Sequence, residues 1–259
     1  MSGDCRPRAW RHWLLLTGLW VLALLPAFFL RLPLPPDGAW VAPALWLSFS
    51  GSKYGLPLVA LSLFLVLARN RGELYLLVLP ALLFLVLGAA FNEHLLKPWM
   101  NQPRPNIEWL GSRAGGPVLA EGAAAFYRIE GKAARSRHLA EQLARSDLAL
   151  PRDLSRHWID ETGFSFPSGH AFASAALGGW LLFWMLCWRR RTWLVSGVVL
   201  WGVGVSWSRL VLGVHRPQDV LAGTCQGLLL ALLVVLAARW WLRRARGEAA
   251  PGMEKIPWL

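Results

Sequence analysis

The chain has few cysteines, few carboxylates and little charge of any kind. Cys5, Cys187 and Cys225 are the three cysteines, and none forms a Cys-x-x-Cys. They do not make a disulfide framework or a zinc site, and read as packing residues. Asp and Glu number 15, and charged residues make up 16% of 259. No carboxylate cluster suits Mg²⁺, and no Cys/His spacing suits Zn²⁺, so neither a metal nor another cofactor is expected. At 55% hydrophobic residues the chain is too apolar for a soluble globule. What is plentiful is tryptophan, 17 in all, which points to interfacial belts, and positive charge, +12 net. The Lys and Arg flank apolar runs. That pattern fits contact with anionic lipid headgroups and argues against a nucleic-acid partner.

Six apolar runs are each read as a membrane span: Trp13–Leu30, Tyr54–Ala68, Leu74–Phe91, Ala171–Trp188, Trp193–Leu212 and Val220–Ala238. A span needs ~20 residues for ~30 Å of hydrocarbon. Tyr54–Ala68 is short alone and longer if Phe49–Lys53 joins it. Trp40–Ser50, with Pro43, is either interfacial or its lead-in. The first run is preceded by Arg6, Arg8 and Arg11. Arg31-Leu-Pro-Leu-Pro-Pro follows it where a cleavage site would stand, so it reads as a retained helix.

The fold expected is all-α and polytopic, with six transmembrane helices and a small helical subdomain between the third and fourth. The boundaries are 1–96 for helices 1–3, 97–166 for the polar subdomain, 167–246 for helices 4–6 and 247–259 for a flexible tail. Within the subdomain, Ser136 is a candidate cap for a helix carrying Leu139 and Leu143. Pro151 is a candidate start for one carrying Leu154 and Trp158. Arg6/8/11, Arg69/71, Arg189–191 and Arg243/244/246 all fall on one side of six spans. The positive-inside rule makes that side cytoplasmic, with both termini inside and the subdomain facing outward.

Three polar clusters then collect on the outer face. They are Lys97-Pro-Trp-Met-Asn-Gln-Pro-Arg104-Pro105, Pro167-Ser-Gly-His170, and Ser208-Arg209 followed by His215 and Asp219. An ionised group at the bilayer centre costs ~2.5–3.5 kcal/mol, so such residues belong at a boundary or in a wet cavity. Their inventory suits phosphate. Lys97, Arg104 and Arg209 are cations for its oxygens, and arginine forks match them bidentately. Ser168 and Gly169 stand where a helix N-terminus offers free amides to an anion. Two imidazoles supply a nucleophile and a general acid, and Asp219 lies one turn from His215, within reach of one ring nitrogen. Glu161 and Asp160 precede the second cluster and order its loop. His157 reads as structural, and His94 as interfacial.

Lys-x6-Arg-Pro, Pro-Ser-Gly-His and Ser-Arg-x5-His-x3-Asp, in this order, resemble the type 2 phosphatidic acid phosphatase superfamily. Stretches 103–110 and 157–170 look more narrowly like its bacterial phosphatidylglycerophosphatase B branch. The resemblance implies that His215 is a nucleophile forming a phosphohistidine, that Asp219 orients it, and that His170 protonates the leaving oxygen and later activates water. It implies that Lys97, Arg104, Arg209, Ser168 and Gly169 hold the phosphoryl oxygens without a metal. The partners implied are the lipid bilayer and a membrane phospholipid or polyprenyl phosphate, in a bacterial inner membrane with the site facing the periplasm. Phosphatidylglycerol phosphate and undecaprenyl pyrophosphate lead as substrates, with phosphatidic acid-type lipids secondary. Transfer of the phosphoryl group to another acceptor, or a non-catalytic lipid transporter, are the alternatives.

Overall fold

A computed structural model of the chain describes residues 7–32, 34–36, 38–112, 117–188, 191 and 193–247. Cys5, Arg6, Arg189, Arg190 and the tail from residue 248 lie outside the described residues. Among those described there are helices and turns and no strands. Pro7–Leu22 (α1) leads through a 3₁₀ turn, Leu25–Phe28, to Gly38–Ser50 (α2) and Gly55–Leu67 (α3). Arg71–Phe91 (α4) continues through a π-helical turn, Asn92–Leu96, into Lys97–Met100 (α5). Short helices Pro105–Leu110 (α6), Gly122–Arg128 (α7), Lys132–Arg145 (α8) and Arg152–Asp160 (α9) follow. Gly169–Trp188 (α10), Trp193–Val211 (α11) and Pro217–Gly247 (α12) complete the order.

Five helices are long and apolar enough to cross a membrane, and six if the bent pair of α2 and α3 counts as one span. That pair is bent by 65° at the turn between them. Ser52 makes the turn by accepting the Gly55 and Tyr54 amides on its hydroxyl, at 3.2 and 3.3 Å. With 13 residues, α3 is too short to span alone. Trp40–Ser50 is thus the first half of a broken apolar pair, packed on α11 through Gly51 against Val205 and Leu47 against Gly204. The several apolar helices make this a multi-pass membrane protein.

Helix α10 is the hub. It is apolar all round, so it buries nearly every face instead of one stripe. Its closest partner is α12. A Cβ on Gly223 would stand 2.4 Å from the Ser168 carbonyl oxygen, and one on Gly227 2.3 Å from that of Phe172. The two backbones touch because residues 223 and 227 carry no side chain, a small-xxx-small contact of the kind that lets helices approach in lipid. Tryptophans tie the bundle from inside. The indole N–H of Trp13 donates to the Gly179 carbonyl at 2.8 Å, and that of Trp180 to Leu77 at 3.1 Å. The expected belt therefore accounts for only some of them. Trp40, Trp46, Trp99, Trp193, Trp240 and Trp241 are exposed, while Trp13, Trp20, Trp158, Trp180 and Trp184 are core.

Helices α6–α9 form a second, smaller core. Ile107, Leu110, Phe126, Leu139, Leu154 and Trp158 pack on one another and on Val41, Ala44, Leu212 and Val214. The Trp158 indole donates to the Leu212 carbonyl at 2.8 Å, which fastens this core to the loop before α12. Leu154 and Trp158 meet as i, i+4 neighbours, with Pro151 at the helix start. Ser136 does not cap α8. The helix begins a turn earlier, and the Ser136 hydroxyl instead lies 2.9 Å from that of Thr162. Cys225 is a free thiol.

Candidate active site

Three loops meet where α10, α11 and α12 begin or end. The first follows α5. The π-helical turn adds a residue to the helix, and each residue turns a helical side chain by about 100°. Lys97 consequently points inward and is buried, and its Nζ bonds Glu93 Oε2 at 2.6 Å. Asn92, in the same turn, accepts the Gln226 amide at 2.7 Å and ties α4 to α12.

Arg104 ends the first cluster and is 2% exposed. Its Nε donates to the Gly163 carbonyl at 2.8 Å, and its backbone N–H to the Tyr127 hydroxyl at 3.1 Å. One terminal nitrogen reaches His215 Nε2 at 3.3 Å, and the other pairs with Glu161 Oε2 at 2.8 Å. Arg209, on the last turn of α11, is fully buried. It pairs with the other Glu161 oxygen at 2.9 Å and donates to Ser48 of α2 and to His157 Nε2, the latter at 3.2 Å. One carboxylate thus joins two guanidiniums from segments over a hundred residues apart in sequence.

Electrostatics follow from burial and these cations. Burial alone would raise the Glu161 carboxyl, but Arg104 and Arg209 outweigh it and hold it well below the usual carboxylate range. Burial and Arg209 push His157 down to about 3, so it stays neutral and accepts from Arg209. Burial and Arg104 push His215 well below its ordinary value. A guanidinium has only donors, so the Nε2 facing it carries a lone pair and the proton sits on Nδ1. His215 is therefore a neutral imidazole with an unprotonated nitrogen aimed at the cations.

Asp219 lies on the first turn of α12. Its Oδ2 stands 3.6 Å from His215 Nδ1, a close approach longer than a hydrogen bond. The same oxygen accepts the Ser165 hydroxyl and the Arg216 amide, the latter at 2.8 Å. Arg216 also donates to the Pro103 carbonyl at 2.7 Å and pairs with Glu108, which clamps the His215 loop to the Arg104 loop. Ser168 is buried and caps α10, accepting the Ala171 amide at 3.5 Å, while its own N–H donates to the Asp219 carbonyl at 2.9 Å. Gly169 and His170 open α10. His170 is half-buried and stands in the fields of Arg209, Glu161, His157 and Arg104.

The structure thus brings Arg104, Arg209, His215 and Asp219 into one contiguous network, with Ser168 joined to Asp219 through the backbone. Lys97 enters through the fields of Arg104 and Glu161. Ser48, Tyr127 and Ser165 join them without having been expected. Each is a lone polar residue whose partners are remote in sequence. Glu161 and His157, taken as ordering or structural, sit at the centre. A carboxylate nine residues before His170 was the available signal, though the adjacent Asp160 offered the same one. Among the described residues no group of His, Cys, Asp and Glu is arranged to hold a metal ion.

A family model described as "PAP2 superfamily" matches residues 74–243, which include every residue of this network except Ser48. The chain belongs to the PAP2 superfamily. Within it, the chain is 35% identical over 180 residues to phosphatidylglycerophosphatase B of Escherichia coli (strain K12), covering 67% of this chain and 65% of that protein. It spans slightly under two thirds of the length of that relative. It is 42% identical over 65 residues to lipid A 4'-phosphatase of Bacteroides thetaiotaomicron, covering 25% of this chain and 27% of that one. It is 40% identical over 65 residues to a putative undecaprenyl-diphosphatase of Escherichia coli (strain K12), covering 25% and 30%.

Proposed function

We propose that this member of the PAP2 superfamily is a lipid phosphatase that works through a phosphohistidine. The observation that carries the reading is the 3.3 Å contact between Arg104 and His215 Nε2, in a cradle whose two guanidiniums already grip a carboxylate. A phosphoryl group offers the same guanidiniums more charge and more acceptor oxygens than that carboxylate does. With a phosphoryl group between Arg104, Arg209 and Lys97, the His215 nitrogen attacks phosphorus in line while the bond to the lipid oxygen breaks. His170 gives that oxygen its proton. His170 then takes a proton from water, whose oxygen attacks the phosphohistidine and frees phosphate and His215. The cations and the free Gly169 amide at the start of α10 stabilise the charge of both transition states.

The substrates proposed are phosphatidylglycerol phosphate and undecaprenyl pyrophosphate, with phosphatidic acid-type lipids as secondary ones. The apolar cavity of about 170 Å³ beside His215, lined by Leu30, Leu34 and Leu210 among others, supports a lipid environment around the nucleophile. The placement proposed is a bacterial inner membrane, with six spans, both termini cytoplasmic, and α6–α9 and the site on the periplasmic side. The test is phosphate release by purified protein in detergent with EDTA. Wild type is expected to turn over these lipids, and His215→Ala and His170→Ala to abolish turnover. A folded wild type that releases no phosphate from any of them refutes the reading.

A further inference from the structure

The network above leaves one buried cation unused. Arg135, on α8, is 8% exposed, and its Nε has no hydrogen-bond partner. It forms no ion pair among the described residues. The carboxylate whose field reaches it, Glu93, is already engaged by Lys97. The guanidinium lies over the faces of Tyr127 and Phe164, 5.2 and 5.1 Å from the ring centroids, and those rings stack on each other. Ring faces stabilise a cation but leave its N–H groups free for an anion.

This cation belongs to the wall of the site. The Tyr127 hydroxyl beneath it accepts the Arg104 N–H and donates to the Gly163 carbonyl at 3.3 Å. The start of α8 rests on the loop that carries Glu161, Gly163 and Ser165. Thr162 donates to the Lys132 carbonyl at 3.2 Å, and Ser136 meets the Thr162 hydroxyl. Lys132, exposed on the first turn of α8, and Arg135 both lie within the field of the half-exposed Glu93. Two cations therefore stand a turn apart on α8, neither in an ion pair among the described residues, separate from Arg104 and Arg209 but joined to them by a single loop.

We propose that Arg135, with Lys132 beside it, forms a second anion subsite that takes the non-transferred phosphate of a lipid carrying two. This rests on the phosphatase reading and narrows its substrate class. The second phosphate is either the inner one of a lipid pyrophosphate or a phosphodiester further along the headgroup. Both present anionic oxygens a short distance from the phosphorus that His215 attacks.

The experiment measures kcat and KM of the purified full chain on two matched pairs. One pair is farnesyl diphosphate and farnesyl phosphate; the other is phosphatidylglycerol phosphate and phosphatidic acid. Wild type is compared with Arg135→Gln, Arg135→Lys and Lys132→Gln. In Arg135→Gln, kcat/KM for the two-phosphate member falls ~10-fold more than for its partner, mainly through KM. Arg135→Lys recovers part of the loss, and Lys132→Gln shows a smaller loss of the same kind. The pair that responds identifies which second phosphate is bound. A ratio unmoved in every variant overturns the subsite while leaving the phosphatase reading intact. If Arg135→Gln does not fold, Lys132→Gln decides, since its side chain is exposed, and an unmoved ratio there overturns the subsite equally. A wild type inactive on all four lipids sinks the parent reading instead.

Discussion

Helices α4 and α10 both read as plain apolar spans, yet they are opposites. Of the most apolar stretch of α10, 78% is buried inside the protein, against 17% for the span that contains α4. The span with α4 is the more apolar of the two. Leu79, Leu82, Leu83, Val86 and Leu87 face outward from α4, and apolarity there means contact with lipid. The small residues of α10, Ala171, Ser174, Ala175, Ala176, Gly178 and Gly179, face other helices. In hydrocarbon there is no drive to bury leucine against leucine, so close fit and hydrogen bonding hold the interior together. The residues that organise the site are accordingly small or polar, and hydropathy alone does not pick out the helices that carry them.

The contrast breaks most sharply at the polar centre. Glu161→Gln leaves Arg104 and Arg209 as two buried like charges and is expected to cost ~3–5 kcal/mol of stability, read from thermal unfolding in detergent. Gly223→Leu comes next. Its Cβ meets the Ser168 backbone instead of a flexible side chain, so α10 and α12 must part, at ~1–3 kcal/mol and with most of the phosphate release lost. Ser165→Ala removes a donor from Asp219 and is expected to lower kcat with KM nearly unchanged, at ~1–3 kcal/mol if the carboxylate is left unsatisfied. Leu83→Ala on the lipid face of α4 is the control, expected to fall within ~0.5 kcal/mol of wild type. A Leu83→Ala loss comparable with that of Gly223→Leu would erase the distinction drawn between the two helices.

Acid acts on the same centre. His157 is held down to about 3 in the folded chain and titrates near its ordinary value of 6.5 when unfolded. The unfolded chain then binds more protons between these values. The stabilisation from keeping His157 neutral is full above about 6.5 and is lost as pH falls toward 3. Glu161, held below 4.5, contributes in the same direction at the lower end, its stabilisation being lost on acidification. Unfolding temperature measured downward from neutral pH should therefore fall. In His157→Phe the decline should be shallower through the upper part of that window.

The helices were legible because apolar runs bounded by arginines admit few other readings. The α2–α3 pair was harder. Pro43 and the Gly51–Tyr54 turn sit inside what otherwise reads as one apolar stretch, and only packing against α11 decides where it bends. At the site, Arg104, His215, Asp219 and Arg209 announced themselves as groups that hydrocarbon rejects. Ser48 and Ser165 did not, because one hydroxyl in an apolar or loop segment is ordinary, and its partner lies far along the chain. Glu161 was visible as a residue but not as a bridge. A carboxylate can join two guanidiniums only after folding brings together residues 104 and 209.

The seam between α10 and α12 carries one more implication. Where glycine meets backbone, nothing smaller exists to replace it, so that joint can be loosened by substitution but never tightened. Substitution finds its latitude elsewhere, on the outward leucines of α4 and the exposed surface of the short helices, which lack backbone-to-backbone contact of this kind.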